Sequence, residues 1–165
     1  MEKYSEILSN KERSQRYIYL AIALIPIIGS YLFNLGLKIP FLGCPLLRYV
    51  GIPCPGWGLT RSLMAFARGD FSQAITYHLF GPVFFAVFLV AGLHLILELI
   101  NNRKILAFYI PLIQNNQFHI FCFLVLFGYH GTRLQELWKS GELYNFFIHS
   151  TLGNWLFGLI SYSYF

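Results

Sequence analysis

Apolar residues in this chain come in long runs, and the charged residues fall mostly between them. Residues 17–37 form a stretch of 21 without a charge; at about 1.5 Å per helical residue this matches a hydrocarbon core roughly 30 Å thick. A second run, 79–100, is interrupted only by His94 and Glu98, one helical turn apart. A third, 118–134, carries His119 near its start and His130 and Arg133 at its far end. Each run predicts a helix and a membrane crossing. Pro26, with Gly29-Ser30 close by, predicts a kink in the first, and Gly81-Pro82 predicts one at the entry to the second.

Between 38 and 78 the pattern changes. Two clusters of chain breakers, Lys38-Ile-Pro-Phe-Leu-Gly-Cys-Pro45 and Gly51-Ile-Pro-Cys-Pro-Gly-Trp-Gly58, predict a loop without regular helix. Beyond it Leu59, Leu63 and Phe66 recur at helical spacing, with Arg61 and Arg68 on another face. That is the pattern of a short amphipathic helix at a membrane surface. Gly69 reads as its stop, and Asp70 followed by Gln73 as the cap of a helix running through His78 into the second span.

Residues 105–113 are apolar but too few to cross, and they contain Pro111; they read as interfacial or re-entrant. Residues 143–165 are aromatic but broken by Asn145, His149, Ser150, Thr151 and Asn154, which favours an interfacial helix over a fourth span. The expected fold is therefore an all-α integral membrane protein with a polar segment at 1–16 and a single membrane domain at 17–165. It has three transmembrane helices, a Cys/Pro/Gly loop with a short amphipathic helix within 38–78, and an interfacial C-terminal helix. No internal repeat supports a transporter built from duplicated halves.

Composition agrees with this picture. The chain is 56% hydrophobic and 12% charged, about half the charged share of a soluble domain. The net charge of +5 arises from basic residues that form no stripe, so anionic headgroups are the expected partner and nucleic acid is not. Segment 1–16, with Lys3, Lys11, Arg13 and Arg16, precedes a run longer than a signal-peptide core and without a small-x-small cleavage site, which reads as a retained anchor. Lys and Arg divide equally between the two sides. Arg13 and Arg16 abut the first span and Arg103 and Lys104 the second, so the N-terminus is expected in the cytoplasm and the 44–61 loop on the opposite side.

Three sets of residues carry candidate chemistry. Cys44 and Cys54 flank a loop stiffened by Pro45, Gly51, Pro53 and Pro55. A structural disulfide there would stabilise by about 2–3 kcal/mol, whereas two buried free thiols fit the spacing equally well. Two thiolates without a nearby His make a poor closed zinc site, and Cys122, mid-span, reads as packing. Gly56, Trp57, Gly58, Thr60 and Arg61 lead into a helix and form a candidate ligand- or partner-binding element, since free amides, a hydroxyl and a guanidinium suit an anion. The same residues also fit a tight return of the chain in which Thr60 caps the helix and Arg61 snorkels. His94 and Glu98 share a face of the second span; with His130 or His119 they are candidate ligands of a metal or tetrapyrrole. A helical pair is not a complete ligand set, and Glu98, near the end of the span, is within reach of Arg103 or water. No metal or cofactor is therefore expected, and no Ser-His-Asp set, phosphate-binding glycine loop or acidic pair assigns a catalytic residue.

Cys44-Pro45, the run Gly51-Ile-Pro-Cys-Pro-Gly-Trp-Gly-Leu-Thr-Arg61, Gly69-Asp70 and Ala74 resemble DUF2752, a family of small bacterial membrane proteins without an established activity. Its signature is a Cys-Pro pair, then Pro-Cys-Pro-Gly-Cys-Gly-x-Thr-Arg, then a Gly-Asp and a helix entering the membrane. The resemblance covers residues 44 to 100 and implies architecture rather than activity. Trp57 stands where the family has its second signature Cys, which removes a Cys-x-x-Cys dithiol, and His78-Leu79 stands where relatives often have Asn-Pro. The function expected is that of an accessory or assembly protein docking through its spans on a larger membrane complex, with lipids and other membrane subunits as partners. The alternative is a membrane enzyme or carrier for an anionic lipid-like ligand at Thr60 and Arg61, aided by His78 or His94.

Overall fold

A computed structural model describes residues 6–37, 43–107 and 109–162, the stretch 159–162 by backbone alone. Lys3, Lys38, residues 39–42 of the first breaker cluster, Phe108 and residues 163–165 lie outside the described residues. Among the described residues every extended regular element is a helix, and the β contact is a single antiparallel bridge between Ile7 and Arg103.

Helix α1 (Asn10–Asn34) begins inside the polar N-terminal segment rather than at the first apolar residue. Its start is set by a reciprocal cap: the Glu12 amide donates to Ser9 Oγ at 3.3 Å and the Ser9 amide donates to Glu12 Oε2 at 2.9 Å. Pro26 lies within the helix, which continues to Asn34. The 38–58 stretch, expected to lack regular helix, contains α2 (Pro45–Val50). The breakers mark its ends instead of preventing it. Pro45 sits in the first turn, where no amide donor is needed, and Gly51 closes the helix at φ 81°.

Helix α3 (Leu59–Ala67) forms where the apolar spacing predicts it and buries Ser62, Leu63 and Ala65. Gly69, at φ 82°, ends it. Asp70 caps α4 (Phe71–Tyr77) by accepting from the Gln73 amide at 3.0 Å. The Gln73 side chain does not return the cap; it accepts from Arg68 Nη2 at 3.2 Å. Helix α4 does not run on into the next span as expected. His78 is extended (φ −162°), and its carbonyl accepts from the Gly81 amide at 2.9 Å and from Ser62 Oγ at 3.1 Å. Helix α5 (Gly81–Asn101) therefore starts anew, with Pro82 in its first turn as a start signal and not a kink. The remaining helices are α6 (Ile110–Gln114), α7 (Asn116–Lys139), α8 (Glu142–Ile148) and α9 (Thr151–Tyr162).

The described residues fall into two compact units, one within Met1–Lys38 and Gly58–Leu112, the other within Ile39–Trp57 and Ile113–Phe165. In the first, α1 and α5 pack antiparallel: the Leu8 amide donates to Asn102 O at 3.1 Å and the Lys104 amide to Glu6 O at 3.0 Å. Lys104 Nζ also reaches Glu6 and Glu12 at 2.7 and 2.8 Å; the Glu12 bond first, then the Glu6 bond, holds its ammonium pKa up. At the far end of α1, Asn34 Nδ2 donates to Met64 O at 2.9 Å and Asn34 Oδ1 accepts from Arg68 at 2.8 Å. The core of this unit is Leu8, Ala23, Leu63, Ala65, Ala74 and Phe85. In the second unit α2, α8 and α9 pack together and α7 packs on α8. The C-terminal region is two helices rather than the single interfacial helix expected. Ser150 turns the chain between them, donating to Phe147 O at 2.7 Å and accepting from the Gly153 amide at 3.0 Å, and a methyl at Gly153 would overlap the Phe147 carbonyl.

Two helices, α1 and α5, are long and apolar enough to cross a membrane, and only 11% and 17% of their most apolar windows are buried. That is the reverse of a buried core helix, whose apolar residues face protein. Helix α7 is as long but is not among them, because Tyr129-His130-Gly131-Thr132-Arg133 interrupts its apolar run.

Candidate functional site

The second unit is organised around the Cys44–Trp57 stretch. Cys44 precedes α2; Gly51 turns the chain in a left-handed conformation against Phe147, whose backbone a Cβ at Gly51 would overlap. Pro53 is fully buried, and the Trp57 amide donates back to Cys54 O at 2.9 Å, closing a turn over Pro55-Gly56. The return brings Cys54 onto Cys44. Cys44 Sγ accepts from the amides of Leu47 at 3.4 Å and Cys54 at 3.2 Å. The disulfide weighed for this pair is not present: both are free, half-buried thiols. Burial pushes the Cys44 thiol up, but the bonds from Cys54, Leu47 and Leu46 outweigh it and leave the pKa lowered. Burial and then the Cys44 sulfur push the Cys54 thiol up. Cys122 is exposed on α7 rather than packed.

Trp57 is structural. Its ring meets Phe146 edge-on with centroids 5.8 Å apart, and the Arg133 guanidinium lies 5.1 Å from its centroid. Arg133 Nη1 also donates to the Trp57 carbonyl at 2.9 Å. Arg133, which reads from the sequence as the end of a span, is thus the clasp between α7 and the loop. Arg133→Ala is expected to cost about 2 kcal/mol from the cation–π contact and the charged hydrogen bond together. All three tryptophans lie in this unit, so fluorescence-monitored unfolding in detergent reads the loss. In a cycle with Trp57→Ala the two losses should fall short of additivity by about 1 kcal/mol; full additivity would mean the two residues do not interact. Beside the loop a cavity of about 420 Å³ is lined by Gly51, Ile52, Trp138, Leu143, Tyr144 and Phe147.

The Gly56–Arg61 element does not fall within one unit. Gly56 and Trp57 belong with the loop, whereas Gly58, Thr60 and Arg61 belong with α3. Gly58, at φ 91°, is the residue before α3, and no side chain caps the helix, so Thr60 is not the cap expected. The Arg61 guanidinium lies 5.5 Å from the centroid of the Tyr77 ring.

In the first unit the expected His94–Glu98 contact forms at 3.5 Å. Glu98, however, is 2% exposed, and its charged partner is Arg16 at 2.6 Å, not Arg103. That short contact is a charge pair whose N–H is poorly aligned for a hydrogen bond. The other Glu98 oxygen accepts from the Ile105 amide at 3.0 Å, and Tyr109 meets the His94 ring edge-on at 5.5 Å. Burial and then the Glu98 charge push the Tyr109 phenol up. His119 and His130 lie on α7 in the other unit, and among the described residues no group of three His, Cys, Asp or Glu is placed to hold a metal. The residues that sequence reasoning left aside are Arg16 and Arg133. Charge position marked both as flanks, and only packing reveals their partners.

These features define the class: an all-helical protein with two helices long and apolar enough to cross a membrane, and a compact Cys-Pro loop. Residues 44–92 match the model of a family described as "Protein of unknown function (DUF2752)", in agreement with the resemblance read from the signature. No curated protein and no solved structure matches the chain.

Proposed function

We propose that the protein is a small integral membrane accessory protein that crosses the bilayer with α1 and α5, inserts α7 as a third crossing, and docks through α7 on a larger membrane complex. The observation that carries this reading is that α7, 24 residues long, buries none of its side chains. A helix that buries no side chain gains little stability from packing in water, yet this one, packed on α8 and held to the loop at its C-terminal half, displays Phe121, Phe123, Leu124 and Phe127 outward. Phe123 and Phe127 lie with centroids 4.3 Å apart, and Gly128 and Gly131 have open space where a Cβ would stand. Large rigid rings beside small residues suit close approach of another membrane helix. The start of α1 and the end of α5 carry Lys11, Arg13, Arg103 and Lys104 at one end of the pair, and the positive-inside bias assigns that end to the cytoplasm. An anionic lipid-like ligand at Gly56–Arg61 has less support, because those residues divide between the two units.

The test is a photo-crosslinking residue at Phe123 or Phe127, activated in native membranes, with Ile22 on α1 as the exposed comparison. Discrete protein adducts from the α7 positions and none from Ile22 are expected. Lipid adducts alone, with the protein purifying as a lone monomer in mild detergent, would sink the docking reading.

A further inference from the structure

The thiol pair points to chemistry that the docking role does not require. With Trp at position 57 the chain has no Cys-x-x-Cys dithiol here. The fold nevertheless brings a second sulfur to Cys54 from ten positions upstream: Cys44 Sγ lies 3.2 Å from the Cys54 amide nitrogen. Their surroundings are unequal. Cys44 Sγ collects the Leu47 and Cys54 amides, and the pair's interactions lower the Cys44 thiol and raise the Cys54 thiol. Hydrogen bonds received by one sulfur stabilise negative charge on it, and the thiolate is the nucleophile in disulfide chemistry. Both side chains are half-buried rather than sealed, so a small reagent has access.

We propose that Cys44 and Cys54 form a thiol–disulfide exchange site that reduces a small disulfide of the glutathione class, Cys44 attacking and Cys54 resolving. In the first step the Cys44 thiolate attacks one sulfur of R–S–S–R. A Cys44–S–R bond forms, the R–S–S–R bond breaks, and the departing thiolate takes up the proton that Cys44 released on ionising. In the second step Cys54 gives up its proton and attacks Cys44 Sγ. The Cys44–Cys54 bond forms, the Cys44–S–R bond breaks, and the second R–S⁻ leaves with that proton. Two electrons pass from the protein dithiol to the substrate, and the products are two R–SH and the intramolecular disulfide. The 3.2 Å approach of Cys44 Sγ to the Cys54 amide means that the resolving residue needs no large rearrangement to reach the mixed disulfide.

The experiment uses the full-length protein, reduced, in mild detergent, in a Cys122→Ala background that removes the exposed third thiol. It is incubated with oxidised glutathione, quenched in acid and weighed intact. The parent should lose two hydrogens and retain no glutathione. Cys54→Ser should accumulate a single glutathione adduct at Cys44, formed about tenfold faster than the adduct at Cys54 in Cys44→Ser, given the dependence of attack on thiolate fraction. Cys54→Ala replaces Cys54→Ser if the latter does not elute as the folded protein. A parent that ends with glutathione on both cysteines, or that does not react, overturns the proposal, as do equal adduct rates in the two single variants.

Discussion

Gly81→Ala is expected to destabilise the α1–α5 unit by about 3 kcal/mol, at the upper end of overpacking penalties. A methyl at Gly81 would overlap the Ser62 hydroxyl and stand 2.5 Å from Ser62 Cβ. Neither atom is the free end of a flexible chain. Ser62 is fully buried, and its hydroxyl donates to the carbonyls of Ala74 at 2.5 Å and His78 at 3.1 Å. Those two bonds tie α3 to the end of α4 where it breaks before α5, so the serine has no room to move without giving up both buried bonds. The measurement is thermal unfolding in detergent followed by circular dichroism. Ser62→Gly, which removes both clashing atoms, should cost stability alone yet recover part of the loss when combined with Gly81→Ala. If the double variant is no more stable than Gly81→Ala, close packing at this crossing is not the reason for the glycine.

The second large effect is expected at Arg16. Removing one partner of a buried pair strands the other, a loss of about 3 kcal/mol or more. The two partners are not equivalent: the Glu98 side chain is 3% exposed and that of Arg16 is 25% exposed. Arg16→Met leaves a carboxylate with no route to water, whereas Glu98→Gln leaves a guanidinium that can turn outward. Arg16→Met should therefore be the more damaging of the two by about 1–2 kcal/mol. Adding Glu98→Leu to Arg16→Met should restore stability, although the Ile105 amide then loses its acceptor. Equal losses from the two single variants, or a double variant as unstable as Arg16→Met, would rule out a stranded charge as the cause.

Much of the helical layout was legible in the sequence because it rests on local terms. The α3 pattern, the Gly69 stop and the Asp70 cap are decided within a few residues, and all appear in the structure. The Ser9-x-x-Glu12 cap that starts α1 in the polar segment is an equally local signal, set apart from the apolar run that begins at Tyr17. Density of breakers misled at α2, because Pro45 and Gly51 act by position: a proline in the first turn and a glycine at the end frame a helix that the same residues would destroy from within. The break at His78 was not legible, since it depends on Ser62, sixteen positions away, offering its hydroxyl to the ends of α4.

The candidate chemistry divides in the same way. Side chains one turn apart on a helix meet by construction, so His94 and Glu98 were paired correctly from spacing alone. Arg16 with Glu98 and Arg133 with Trp57 are contacts between distant segments, and charge patterning placed both arginines only as flanks. Sequence by itself determined that long apolar helices are separated by more polar stretches, and that a Cys-Pro loop lies between the first two. Tertiary structure alone decided that Cys44 and Cys54 meet as free thiols, that Trp57 holds an arginine, and that Glu98 is neutralised by Arg16. Periodicity records which way a side chain faces along its own element. Which distant group it meets there depends on how the elements pack, and no local pattern carries that.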